Sequence, residues 1–183
     1  MTFQENYLEN TRKLFRYYKS LGDASLSRLN GNEIHFQFEE NSNNCAIIAK
    51  HIAGNMLSRW TDFLNSDGEK EWRNRETEFE DNFNSKEELI SYWEKGWDCV
   101  FTAIDPLQPE DLDKIVYIRN EGHTVLEAMN RQLAHYSYHV GQLVMLSKAI
   151  KGADWQSLSI PKGQSQVFNK DKFDKDKSRK NFI

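Results

Sequence analysis

Apolar positions recur at helical steps in four segments of the chain. In the first, Phe3, Tyr7, Leu14, Phe15, Tyr18 and Leu21 fall at steps of three, four and seven, the spacing that lines one face of an α-helix. Gly22 follows and reads as a helix C-cap. After the polar cluster "NSNN", Ile48, Ile52, Met56 and Phe63 mark a second helix over 45–64, which "NSDG" stops. A third opens at Ser85, with Glu88 three residues on in the capping-box arrangement. It continues through Leu89, Trp93, Gly96 and Val100 towards Ile104, and Asp105-Pro106 ends it. The fourth opens at Thr124 with Glu127, again a capping box, and runs to Lys151 with Gly152 as its stop.

The stretches between helices differ in character. "EKEWRNRETEFEDNFN" is long, charged and aromatic, and is expected to lie ordered against the helices. "KIVYIR" (114–119) alternates as a short strand or extended segment would. After Gly152, "ADWQSLSIPKGQSQVF" reads as a docked arm anchored by Trp155, Leu158 and Ile160. Four long helices with almost no strand signal predict an all-α fold, a four-helix bundle with a C-terminal arm. The bundle domain is expected over 1–168, followed by a charged, mobile tail over 169–183.

Charge narrows the function. The formal net charge is -4 over 183 residues, but the tail from 169 holds six Lys/Arg against three Asp. The body therefore carries 18 basic against 25 acidic side chains, which argues against a nucleic-acid surface on the folded part. No apolar run approaches the roughly 18 residues of a membrane span. The opening "MTFQENYLENTRKLF" lacks a signal-peptide core. Cys45 and Cys99 form no CxxC pair and read as small core residues, so a cytoplasmic setting is expected. Trp60, Trp72, Trp93 and Trp97 read as core or interface bulk.

The candidate chemistry lies in "RQLAHYSYHVGQL" (131–143). His135 and His139 stand four apart on one helix face with Ala128, Gln132, Gln142 and Leu146. An HxxxH pair alone is equally compatible with packed, hydrogen-bonded core histidines. His51, in "IIAKHIAGNM", shifts the reading, because it too lies on the apolar side of a long helix, with Gly54 one turn on. Burying several imidazoles without partners is costly, and one divalent metal satisfies them together. Three neutral imidazoles leave at least one position for water or substrate, the pattern of catalytic sites. Zinc is the first choice of ion, and nickel fits nearly as well. Tyr136 stands where an HExxH motif carries its glutamate, so a metalloprotease is a poor reading. No general base is identifiable near the histidines. His35 reads as a strand-like or loop packing residue, and His123 as a solvent-facing or helix-end residue.

"KHIAGN" and "HYSYH" resemble the DinB-like (YfiT-like) superfamily of metal-binding helix bundles, in the order, interval and helical setting of the three histidines. "RWTDFLNSDGEKEWRNRETEF", "RQLAHYSYHVGQLV" and "KGADWQSLSIPKG" are similar to one branch of it with no settled reaction. The resemblance implies a four-helix bundle with one long crossover, often dimeric, with His51, His135 and His139 holding a divalent metal. Some relatives transfer low-molecular-weight thiols such as bacillithiol or mycothiol. The implied activity is a metal-dependent thiol S-transferase or hydrolase acting on a small molecule, with a homodimer expected. The competing reading is a non-catalytic dimeric metal-binding or stress-response protein. DNA binding is suggested by the superfamily's name alone, and the acidic body opposes it. Asn55 and Gln142 are candidates to orient a ligand or a bound water, and Gln132 to support the histidines by hydrogen bonds. Arg59, Arg73, Arg75 and Arg119 are candidates for carboxylates on a thiol cosubstrate, with surface ion pairing as the alternative for each.

Overall fold

The computed structural model describes residues 1–179. The chain is mostly helical, with one small sheet. The four long helices are α1 (Phe3–Arg28), α2 (Cys45–Trp60), α3 (Lys86–Ile104) and α4 (Val125–Lys151). A hairpin of β1 (Ile115–Ile118) and β2 (Glu121–Thr124) precedes α4, and α5 (Ser165–Phe173) follows it. The most extensive helix contacts are α2 with α3 and α1 with α4, and α2 also lies against α4.

Side-chain caps fix where these helices begin. Asn44, the last residue of the "NSNN" cluster, accepts from the Ile47 amide. Thr124 and Glu127 form both halves of a capping box. At α3 only half forms: Ser85 accepts from the Glu88 amide, while the Glu88 carboxylate takes the Asn84 amide at 3.0 Å. Gly152 stops α4 with a φ of 53°.

One aromatic core joins the helices. Phe15 of α1 lies 5.9 Å from Trp60 and 6.0 Å from Tyr136, ring centre to ring centre. Trp97 of α3 stands 5.7 Å from Trp93 and 5.9 Å from Tyr136. Trp60, Trp93 and Trp97 are therefore core residues, whereas Trp72 is 61% exposed. Cys45 is buried too, and burial pushes its thiol up to about 11.

The structure corrects several sequence expectations. Gly22 is no cap: α1 continues through it to Arg28. A Cβ at Gly22 would stand 2.5 Å from the Trp93 ring, so the glycine is a site of close helix approach. The second helix ends at Trp60 rather than 64, and Asp62 takes a φ of 49° just beyond it. The expected strand at 114–119 acquires an antiparallel partner, with Val116 opposite His123. Its turn residues Arg119 and Asn120 have φ of 57° and 62°, the left-handed pair of a two-residue hairpin. Asp67 supports them by accepting both their amides, at 2.9 and 2.8 Å. The helix α5 was not expected, and it crosses position 168/169. Of the tail from 169, residues 180–183 lie outside the described residues.

The connector over 61–85 is ordered, including the charged, aromatic stretch 69–84 expected to lie against the helices. Gly68 bonds the Tyr117 carbonyl at 2.8 Å, tying it to the hairpin. Lys50 of α2 bonds the Thr77 and Glu80 carbonyls and the Asn82 side chain. Asn44 bonds Asp81 at 2.6 Å, and His35 meets the same carboxylate at 2.7 Å from a 3-10 turn (Glu33–His35). These contacts hold a second 3-10 turn, Glu76–Phe79, against α2. The arm after α4 docks through Trp155, whose ring lies under the Arg28 guanidinium at 4.6 Å.

Candidate metal centre

Three histidines from two helices converge. His51 of α2 and His135 and His139 of α4 present ring nitrogens that all lie within 4.8 Å of one another. The Nε2 atoms of His135 and His139 stand 3.1 Å apart. Two ligands on one tetrahedral zinc, with Zn–N near 2.0–2.1 Å, stand about 3.3 Å apart, so this pair is spaced for a shared ion. The set could bind a metal ion, and among the described residues no carboxylate or thiol joins it.

The outer nitrogens are held by partners that aim the inner ones. His51 Nδ1 lies 2.9 Å from Glu78 Oε2, and a carboxylate there takes the Nδ1 proton and leaves Nε2 as a lone pair. His139 Nδ1 lies 2.7 Å from Gln142 Oε1, which fixes that ring in the same sense. With His139 Nε2 then an acceptor, a metal-free His135 must donate its Nε2 proton to it, or both lone pairs face one cation.

Glu78 was not found in the sequence, which showed no carboxylate near the histidines. It arrives from the 3-10 turn of the connector, and only the ordering of that charged, aromatic stretch hinted at it. Gly54, one turn after His51, makes room: a Cβ there would stand 2.6 Å from Glu78 Oε1. Arg73 clamps the same carboxylate with two hydrogen bonds, 2.7 Å from Nε and 2.9 Å from Nη2. Burial would raise the Glu78 carboxyl, but the bonds from His51 and Arg73 and the charge of Arg73 hold it below the usual range.

Electrostatics keep the histidine pair neutral. Burial first, then the repulsion that protonated His139 and His51 would exert and the charges of Arg59 and Arg73, pushes His135 down to about 3. Burial lowers His139 as well, with the Gln142 bond opposing and His51 assisting. Neutral imidazole is the form that binds metal.

A cavity of about 260 Å³ opens beside the cluster, and His51 and His135 form part of its wall. Five arginines line it: Arg59, Arg73, Arg75, Arg119 and Arg131. Arg59 and Arg73 are inner and already paired, Arg59 to Glu69 at 2.9 Å and Arg73 to Glu78. Arg119 reaches Glu69 at 3.2 Å from the hairpin turn and is 59% exposed. Burial would raise the Glu69 carboxyl, but the Arg59 bond and the charges of Arg73, Arg59 and Arg119 lower it.

The remaining candidates divide. Gln142 holds His139, as described. Asn55 makes no hydrogen bond to His51 among the described residues: its Oδ1 accepts from Tyr136 at 3.1 Å, and Tyr136 in turn accepts from Trp60 Nε1 at 2.9 Å. Its place in the cavity wall is shared with Gln132, a buried residue whose Oε1 has no partner among the described residues. His35 stays outside the cluster, on Asp81. His123 directly precedes the Thr124 cap of α4, as expected, and is half-buried in β2, its Nε2 without a partner among the described residues. Arg131, one turn before His135, went unnoticed in the sequence although its spacing places it on the same face.

A mostly helical protein with a three-histidine cluster at the edge of an arginine-lined cavity is thereby defined. The chain belongs to the protein family of unknown function DUF1572, whose family model matches residues 2–164. No curated protein and no solved structure matches the chain.

Proposed function

We propose that the chain is a divalent-metal protein of the DinB-like type, acting as a metal-dependent enzyme on a small molecule, with thiol S-transfer or hydrolysis as the reaction class. The observation that carries the reading is the convergence of three histidine nitrogens within 4.8 Å, with no carboxylate among the described residues closing the set, at the wall of a cavity. His51, His135 and His139 would hold zinc or nickel. A divalent ion bound there supplies Lewis acidity, lowering the pKa of a thiol or water so that the nucleophile forms near neutral pH.

The protein's own residues account for the rest. Glu78 and Gln142 hold the Nδ1 protons of His51 and His139 and so fix both rings. Arg73 holds Glu78. Asn55 and Gln132 offer polar atoms to a bound molecule in the cavity wall. The DinB-like four-helix bundle with a long crossover is part of the same proposal, supported by the shared core of α1–α4 and the connector over 61–85. So are a homodimer, a cytoplasmic setting and a low-molecular-weight thiol as cosubstrate, with neither nucleic acid nor membrane as partner. No helix among the described residues is long and apolar enough to cross a membrane.

One observation favours the second reading, a non-catalytic dimeric metal-binding or stress-response protein. The carboxylate nearest the histidines is bound by Arg73 and His51 and is not free to act as a base. Turnover assays of the zinc- or nickel-loaded protein against a panel of thiols and electrophiles separate the two. Turnover that is lost in His139→Ala with the fold retained supports the enzyme. Full metal loading with no turnover across the panel favours the second reading.

A further inference from the structure

The cavity wall carries more positive charge than the protein's own carboxylates neutralise. Five guanidinium groups line it, and Glu69 and Glu78 are the carboxylates fixed to them. Besides the Phe79 ring under its guanidinium at 5.2 Å, Arg75 has Glu76 as its one acidic partner among the described residues, at 3.8 Å with that side chain 88% exposed, an ion pair that solvent screens to little. Arg131 has no acidic partner among the described residues. This surplus sits on a chain whose overall charge is -4, so it is a local feature of the cavity rather than a reflection of composition. A concave wall of one sign concentrates ligands of the other.

The arginines fall into two layers. Arg59 and Arg73 are spent on structure: their side chains are 7% and 3% exposed, and Glu69 and Glu78 hold them. Arg75, Arg119 and Arg131 come from the connector, the hairpin turn and α4, three separate elements that each contribute to this opening. Arg119 is brought there by an unusual device. Its φ of 57° is stabilised by Asp67, which accepts both turn amides. A second, independent feature points to a polar ligand: Gln132, 3% exposed, and Arg59, 6% exposed, each line the cavity and each keep one buried polar atom without a partner among the described residues, Oε1 and Nε. Buried polar atoms are ordinarily satisfied; Arg59 Nε is a donor that suits an oxyanion, whereas Gln132 Oε1 is an acceptor and calls for a hydroxyl or other donor on the same ligand.

We infer that the cavity takes a small molecule bearing at least two oxyanion groups, carboxylate or phosphate, held by Arg75, Arg119 and Arg131 at the mouth. Guanidinium forks match both groups with paired hydrogen bonds. A volume of about 260 Å³ limits the bound part to metabolite size. The inference names the substrate class of the site proposed above and rests on that reading only for the end of the molecule that faces His51 and His135.

The test is calorimetric titration of the metal-free protein with tricarballylate and with pyrophosphate, using acetate as the monoanion control. Zinc content is measured separately on the same preparations. Saturable binding of either polyanion, tighter than acetate, is expected. It should weaken at least tenfold in Arg119→Gln/Arg131→Gln and fall as NaCl rises from about 50 to 500 mM, as screening requires. Arg131→Gln alone, at an exposed residue with no ion-pair partner among the described residues, should weaken it measurably while leaving the circular dichroism spectrum unchanged. Binding of tricarballylate without pyrophosphate, or the reverse, supports the inference and selects the group. No saturable binding of either below about 10 mM, or equal binding in the variants, overturns it. Zinc loading is expected to be the same in the wild type and both variants, so failure of anion binding with loading intact refutes the inference and leaves the metal reading standing.

Discussion

Glu78 Oε2 and His51 Nδ1 meet at 2.9 Å, with side chains 6% and 7% exposed. The contact joins the connector to the metal candidate, because the carboxylate that orients His51 is itself clamped by Arg73. Glu78→Gln removes the charge and leaves the buried Arg73 with Glu69 alone. The expected results are a stability loss on the order of 3 kcal/mol and zinc affinity weakened about 10- to 100-fold. Urea unfolding and competition against a chelator measure them. Wild-type values for both would show that Glu78 does not orient His51.

Gly54→Ala is expected to act through the same carboxylate. Alanine favours a helix over glycine by about 1 kcal/mol, but its Cβ would stand 2.6 Å from Glu78 Oε1 and 2.9 Å from Cδ. Because Arg73 fixes that group, the clash should win, at about 1–3 kcal/mol net. In a Glu78→Ala background the penalty should vanish, and a double-mutant cycle by denaturant unfolding reads the coupling. An additive cycle contradicts the assignment.

Tyr136 is buried completely, and its hydroxyl joins Trp60 Nε1 to Asn55 Oδ1. Tyr136→Phe keeps the ring packing but strands the Trp60 donor. A loss of about 1–3 kcal/mol is expected, read from the chemical-denaturation midpoint. A change below about 0.5 kcal/mol would mean that other groups satisfy the indole.

The metal-free protein should be sensitive to mild acid. His135 is lowered to about 3, and His139 is lowered too. Between their ordinary value of 6.5 and the folded values, the unfolded chain binds more protons, so stability rises with pH. The contribution is complete above about pH 6.5 and declines as pH falls below it. The lowered Glu78 adds loss in the same direction at lower pH, beneath the ordinary carboxylate value of 4.5. Thermal midpoints of chelator-treated protein from pH 8 to pH 4 test this. A midpoint that holds or rises as pH falls through 6 would contradict it.

Much of the helical frame was legible because periodic apolar faces and side-chain caps are local signals. Thr124 with Glu127 and the stop at Gly152 bound α4 as the sequence implied. The three histidines were legible for the same reason, since helix spacing alone places His135 and His139 on one face. What escaped depends on contacts distant in sequence. Gly22 has the composition of a cap, and only Trp93, far along the chain, shows it to be a packing position. The strand "EGHT" has no apolar alternation, and its turn, Arg119-Asn120, is held by Asp67 rather than by glycine. Glu78 is one acid among many in a charged connector, singled out only by its approach to His51.

The central claim is that His51, His135 and His139 hold a divalent ion, and metal stoichiometry tests it most directly. Elemental analysis of untagged protein, purified without chelator, is compared with His51→Ala/His135→Ala/His139→Ala. About one zinc or nickel per chain, absent from the variant, is the expected result. No metal in the wild type even after reloading, or equal metal in the variant, would contradict the claim and return the three histidines to a packed, hydrogen-bonded core.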